Sequence, residues 1–195
     1  MNKKVKVLLF LYVFQFIISS CTDCHCNSAN YDKVYNDLEL RAWDTSGFQN
    51  SEITDLTPVS KNGFGLSVSV LFELNEVALN KVKWHSLGFA SAYACDCPSD
   101  TYNIDDPIDT IQIMVLDTNT QSEFDITSQF RTKSHNGDEI TLDALFENLA
   151  DWQDGFQFDL KIEDNIPNAA IFTVKIYLES GIELVKQTPQ INFEE

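Results

Sequence analysis

The stretch FGLSVSVLFEL, residues 64–74, carries the clearest structural signal in the chain. Every second residue is large and apolar, and the set comprises Phe64, Leu66, Val68, Val70, Phe72 and Leu74. Most of the intervening residues are small or polar. An alternation with a period of two is typical of a β-strand that buries one of its faces. The stretch therefore predicts a strand whose apolar residues face a core.

Strand signals recur on both sides of this stretch. They lie at residues 38–42, 87–94, 111–116, 156–162, 172–178 and 182–188. Segments 87–94 and 111–116 are apolar on both faces, as central strands of a sheet are. The last two segments flank Glu179-Ser180-Gly181, a turn sequence that predicts a hairpin.

One helix is predicted after Thr141, a good N-cap residue with Asp143 in the first turn. Its apolar residues follow helical spacing: Leu142, Leu145, Phe146 and Leu149. Seven strands and one short helix predict a mainly β fold, a two-sheet antiparallel immunoglobulin-like sandwich. The disulfide and tryptophan pattern of antibody domains is absent from the sequence.

The N-terminal segment has the pattern of a secretory signal. Three lysines, Lys3, Lys4 and Lys6, precede an apolar run at residues 7–18, which is shorter than the ~20 residues of a membrane-spanning helix. The sequence Ile18-Ser19-Ser20-Cys21 resembles the bacterial lipobox, which implies cleavage before Cys21 and its lipidation. The alternative is an ordinary secreted protein with a free Cys21, although Ile18 fits the −3 position of a standard cleavage site poorly.

These signals predict three parts: a lipoprotein signal peptide at 1–20, a lipidated tether at 21–32 and a single sandwich domain at 33–195. The whole chain has a net charge of −17, and residues 21–195 have −20 because residues 1–20 hold three lysines and no acid. So acidic a chain is not expected to bind nucleic acid or the charged surface of an anionic bilayer. Its expected link to the membrane is the lipid anchor.

Four further cysteines form two C-x-C pairs, Cys24 with Cys26 and Cys95 with Cys97. A disulfide within either pair would close a very small, strained ring. An exported, oxidising location therefore favours disulfides between the two pairs, in a connectivity that the sequence leaves open. A zinc site with four thiolates is the alternative, although zinc ligands are more often spaced C-x₂₋₄-C.

Two acidic segments raise the question of a cation site. One holds Asp96, Asp100, Asp105, Asp106 and Asp109. The other, residues 117–123, begins like an EF-hand loop but has Ser122 where glycine belongs, and no matching glutamate follows. We expect solvated acidic turns and no cofactor, with calcium as the alternative.

The sequence contains no recognisable catalytic motif around its three histidines, His25, His85 and His135. We therefore expect a non-catalytic binding or structural module, with an envelope protein or a glycan as its partner. A small extracytoplasmic hydrolase or metal-dependent enzyme is the alternative. Trp43 and Trp152 are the candidate ligand contacts, because exposed tryptophans stack on sugars or anchor partner proteins.

Several short motifs together resemble an uncharacterised family of Bacteroidetes lipoproteins. They are the lipobox, the C-x-C of the tether, the segment Ala94-Cys95-Asp96-Cys97, and Asp105-Asp106-Pro107-Ile108 before a strand. The resemblance implies an outer-membrane lipoprotein and assigns no activity or catalytic residue. It leaves open whether the domain faces the periplasm or the cell surface.

Overall fold

The computed structural model describes residues 29–77, 100–147, 149 and 153–194 of the chain. The predicted signal peptide, all five cysteines, the predicted strand at 87–94 and Trp152 lie outside the described residues. The chain divides into two compact units, one of residues 1–32 with 76–103 and one of residues 33–75 with 104–195. In the smaller unit, the rings of Tyr31 and Tyr102 stack with their centroids 5.8 Å apart.

Twelve strands and one helix are found among the described residues. The strands are β1 (Asn30–Asp44), β2 (Ser51–Glu52), β3 (Phe64–Val77), β4 (Thr101–Ile104), β5 (Ile108–Asp117), β6 (Glu123–Asp125), β7 (Phe130–Lys133), β8 (Glu139–Thr141), β9 (Gly155–Leu160), β10 (Ala169–Leu178), β11 (Glu183–Gln187) and β12 (Ile191–Asn192). The helix is α1 (Leu142–Phe146), and single 3₁₀ turns lie at Lys61–Gly63 and Thr127–Gln129.

The strands form two sheets. One has the order β2-β1-β3-β9-β7-β8 with β4 on β1, and the other has β11-β10-β5-β6 with β12 on β10. This confirms the predicted two-sheet antiparallel sandwich with one short helix. The order is that of an immunoglobulin-like domain: β1, β3, β9 and β7 take the places of strands A, B, E and D, and β11, β10, β5 and β6 those of G, F, C and C′.

Phenylalanines fill the centre of the sandwich. Phe64, Phe130, Phe158 and Phe172 are completely buried. The rings of Phe64 on β3 and Phe172 on β10 lie 4.6 Å apart between centroids and join the two sheets. Antibody domains place a disulfide between the corresponding B and F strands. Here an aromatic contact occupies that place. Such a contact contributes about 0.5–1.5 kcal/mol in addition to the free energy gained by burying its apolar surface.

The strand at residues 64–74 is confirmed, but its burial differs from the prediction in its second half. Residues 64, 66, 68 and 70 are buried, whereas Phe72 and Leu74 are 40% and 43% exposed. The reason is the length of the neighbouring strand, because β9 pairs with β3 only from Gly65 to Ser69. Alternation in the sequence continues past the point where that pairing ends.

The predicted helix and hairpin are both present. The Thr141 hydroxyl accepts a hydrogen bond from the Ala144 N–H at 3.3 Å and so caps α1. Strands β10 and β11 pair in register from Thr173 opposite Gln187 to Tyr177 opposite Glu183. Gly181 has a φ of +86° in the turn between them, a conformation that glycine adopts without strain.

Candidate functional site

A polar cleft lies where β6 leaves part of the edge of β5 uncovered. Strand β6 pairs only with Met114, Val115 and Leu116. Beyond it, the Ile126 N–H donates to the Ile113 carbonyl at 2.9 Å, and the Ile113 N–H donates to the Thr127 hydroxyl at 2.8 Å. Backbone groups of alternate residues point to the same side of a strand, so those of Ile111 face this unpaired edge.

A cleft of about 620 Å³ lies at this edge. Strand β5 contributes Ile111 and Gln112, β6 contributes Asp125, and the 3₁₀ turn that follows contributes Thr127. The wall is completed by Arg131 of β7, Tyr177 of β10 and the first residues of α1. Apart from Ile111 and Leu142, all the residues that line the cleft have polar or charged side chains, so hydrogen bonding governs what it can hold.

A hydrogen-bond network orders the polar side chains of the cleft. Gln112 Nε2 donates to Asp125 Oδ2 at 2.8 Å, and the Tyr177 hydroxyl donates to Gln112 Oε1 at 3.2 Å. Asp125 Oδ1 accepts from the Thr127 N–H at 2.8 Å and from the Thr127 hydroxyl at 2.6 Å. Each side chain is therefore held by its neighbour before any ligand arrives, which lowers the entropy cost of binding.

Asp125 is the ionised acceptor of this network. Partial burial raises the pKa of its carboxyl, but hydrogen bonds from the Thr127 hydroxyl, from Gln112 and from the Thr127 N–H lower it further than burial raises it. The net pKa lies below the ordinary value of 3.8. The carboxylate therefore stays charged at neutral pH and acts as an acceptor, not as a proton donor.

Arg131 is the cation of the cleft. Its Nη1 donates to the carbonyls of Ser128 and Phe130, both at 2.7 Å, and these bonds fix the guanidinium plane. Among the described residues, no partner is found for its Nε and Nη2 donors. These two atoms are therefore the part of the guanidinium group that can donate to a ligand.

The lining of the cleft lacks the parts of a nucleophilic catalyst. It contains hydroxyl groups but no histidine, and the carboxylate next to Thr127 has a lowered pKa, unlike a general base tuned to neutral pH. His135 lies exposed in the turn between β7 and β8 and does not line the cleft. Within the described part of the chain, no group of three or more His, Cys, Asp or Glu residues could hold a metal ion.

Trp43, a predicted ligand contact, lies on β1 opposite Glu52 of β2. It is half-buried, and its Nε1 atom is buried and has no hydrogen-bond partner among the described residues. Trp43 does not line the cleft. The other predicted contact, Trp152, and the predicted lipidation and disulfide residues Cys21, Cys24, Cys26, Cys95 and Cys97 lie outside the described residues.

One acidic residue from each of the two predicted loops bonds to nearby turn residues. Asp106 accepts from the Ser180 N–H at 2.8 Å and from its hydroxyl at 2.6 Å. Asp117 accepts from the Thr120 hydroxyl and the Asn119 N–H, both at 2.8 Å, and these bonds lower the pKa of its carboxyl. Both carboxylates thus stabilise turns of the sandwich.

Sequence analysis did not single out Gln112, Asp125, Arg131 or Tyr177. Two signals point to them only weakly. Gln112 and Tyr177 each stand between two apolar residues of a predicted strand. Asp125-Ile126-Thr127 has the spacing of a turn in which the aspartate bonds to the backbone two residues on. Neither signal distinguishes a binding residue from an ordinary surface residue.

Comparison with protein-family models, with curated proteins and with solved structures found no match for this chain. Across the described residues, no helix has the length and apolar character needed to cross a membrane. The fold thus defines the class of protein: an immunoglobulin-like sandwich with a polar cleft at the open edge of β5.

Proposed function

We propose that this chain is an exported, lipid-anchored envelope lipoprotein whose sandwich domain binds a ligand and does not transform it. The observation that carries the binding role is the cleft at the edge of β5. Its Gln112, Asp125 and Tyr177 side chains are already ordered by hydrogen bonds, and no histidine stands beside its hydroxyl groups. Such a site supplies directed hydrogen bonds without an activated nucleophile.

The ligand class that fits this cleft is a neutral, hydroxyl-rich molecule, as an envelope glycan is. The lining alternates donors and acceptors: amide at Gln112, carboxylate at Asp125, guanidinium at Arg131 and phenol at Tyr177. A sugar ring with adjacent hydroxyls both donates and accepts, so it matches such a mixture. An anionic ligand is disfavoured because Asp125 and Asp143 outnumber the single cation of the lining.

The location rests on the first residues of the chain and on the resemblance to Bacteroidetes lipoproteins. Acylation at Cys21 would hold the protein at the outer membrane, since each buried methylene contributes ~0.8 kcal/mol and several chains together retain a protein. Disulfides from Cys24 and Cys26 to Cys95 and Cys97 would then fasten the tether. Anchoring raises the local concentration of the domain near envelope polymers and so favours binding.

The binding role is tested with the detergent-solubilised protein on an array of neutral oligosaccharides. Gln112→Ala removes one of the directed contacts and should weaken binding about tenfold, the equivalent of one hydrogen bond of ~1.4 kcal/mol. The matched control is Gln157→Ala on β9, outside the cleft, which should leave binding unchanged. Equal binding by both variants would place the site elsewhere.

The non-catalytic role is tested on the same protein with ester and glycoside reporters. We expect no turnover. A turnover signal that disappears in His85→Ala or His135→Ala would refute the binding role and establish the hydrolase alternative.

The anchor is tested by labelling cells with radioactive palmitate. Wild-type protein should incorporate the label, and Cys21→Ala should remain an unlabelled precursor or appear as a soluble product. Equal labelling of the two proteins contradicts lipidation at Cys21.

A further inference from the structure

Lys33 is the only charged side chain in the buried class among the described residues, with 6% of its surface exposed. Its burial is unexpected from the pattern of β1. Leu38 and Ala42 are buried, so regular alternation would place Val34 inside and Lys33 outside. The structure has the reverse arrangement, with Val34 47% exposed.

The reversal occurs at Asn36 and Asp37, two consecutive residues that are both exposed. An extra residue at one point of a strand, a β-bulge, switches which face the preceding residues occupy. Upstream of this point, Lys33 and Tyr35 face inward. The irregularity exchanges an apolar side chain for an ammonium in the interior, so the surroundings of Lys33 must favour that exchange.

Those surroundings come from two other parts of the sandwich. Lys33 Nζ contacts Asp154 Oδ1, 121 residues later and directly ahead of β9. The Tyr35 hydroxyl donates to the same oxygen at 3.0 Å. The ring centroid of Phe72 lies 4.3 Å from Nζ and that of Tyr35 lies 5.2 Å away. The buried Lys33 amine thus lies against two aromatic rings and contacts a carboxyl group whose side chain is 24% exposed.

We propose that Lys33 and Asp154 condense to an intramolecular amide, an isopeptide bond. Only a neutral amine can act as the nucleophile, so the ammonium first passes one proton to the carboxylate that it contacts. Nζ then attacks Asp154 Cγ, and the Tyr35 hydroxyl stabilises the negative charge that develops on the carboxyl oxygen. Loss of the second oxygen as water completes the Nζ–Cγ bond.

The reaction is balanced without a further reagent. One N–Cγ bond forms, one Cγ–O bond breaks, two hydrogens leave Nζ with that oxygen as water, and no atom is oxidised or reduced. Proximity replaces activation, since two groups held in contact react as though at very high concentration. The product would link β1 covalently to the residue that precedes β9, across the intervening strand β3.

Peptide mapping of the full-length protein by mass spectrometry tests the proposal. We expect a branched peptide that contains both Lys33 and Asp154 and is one water lighter than the sum of its two segments. The matched control lies in the same sample: Lys186 and Asp37 form an exposed pair with Nζ and Oδ2 3.3 Å apart and should be recovered as separate, unmodified peptides. Recovery of Lys33 and Asp154 in unlinked peptides would overturn the proposal and leave an ion pair.

The role of Tyr35 is tested by following bond formation after synthesis. Tyr35→Phe keeps the aromatic ring and removes the hydroxyl, and it should slow the appearance of the branched peptide at least tenfold. An unchanged rate would remove Tyr35 from the reaction. Because the decisive mapping uses the wild-type chain, the result does not depend on whether a Lys33 or Asp154 variant folds.

Discussion

The centre of the sandwich is held together by packed apolar side chains, whereas the cleft at the edge of β5 is lined by polar side chains that bond to one another. Phe64 and Phe172 meet in the centre without any exposed surface, whereas the cleft is closed by hydrogen bonds among Gln112, Asp125 and Thr127. The stability of the centre depends on the volume of its side chains, because removing one leaves a cavity that the sheets cannot fill. The structure of the cleft depends on the geometry of its hydrogen bonds, because each polar group contributes only when its partner is in place. Stability and the proposed recognition would therefore be carried by different residues.

The strongest test of this difference is Phe172→Ala. Removing a completely buried ring should lower the free energy of unfolding by about 3–5 kcal/mol, measured by urea denaturation with an unchanged m-value. Phe48→Ala is the control, since Phe48 is 103% exposed and its loss should change stability by less than ~0.5 kcal/mol. Similar values for the two variants would show that the centre is not closely packed.

A smaller effect is expected at the border between the two regions. Thr127→Val keeps the shape of the side chain but removes the hydroxyl that accepts from the Ile113 N–H at 2.8 Å. The unpaired N–H should cost about 1–3 kcal/mol in the same denaturation experiment. Thr120→Val is the control, because the Thr120 hydroxyl bonds only to Asp117 in an exposed turn. If both variants lose the same stability, the bond to Ile113 does not hold the edge of β5.

The smallest effect is expected at Asp125 and is visible only in acid. The folded-state pKa of its carboxyl is lowered, so its contribution to stability is present above the ordinary aspartate pKa of about 3.9 and is lost as the pH falls through the folded-state value. The stability difference between wild type and Asp125→Asn should therefore shrink below about pH 4. A difference that stays constant from pH 6 to pH 3 would mean that the carboxyl is unperturbed.

Sequence reasoning succeeded where burial alternates over many residues, as in residues 64–70 and in the hairpin of β10 and β11. It missed β2, β4, β6, β7, β8 and β12, which have two to four residues each and are too short to show a period. The order of the strands was also out of reach, because pairing across the sandwich joins segments far apart in sequence.

The cleft could not be predicted for a related reason. It exists because β6 ends opposite Met114 while β5 continues toward Ile108, and no residue type in the sequence marks that mismatch of length. The burial of Lys33 could not be predicted either. Inward and outward positions are inferred from alternation along the strand, and the irregularity at Asn36 and Asp37 reverses that alternation for the residues before it. Both features depend on where pairing stops, which is decided by tertiary structure.

Lys33 is also the first residue of the larger unit, and this position has a mechanical consequence. A force that enters the larger unit from residue 32 would act first on Lys33 and on its contact with Asp154. Part of the load would then pass through these two side chains to the residue before β9 and not along the backbone of β1 alone. As an amide, the connection would carry that load through covalent bonds.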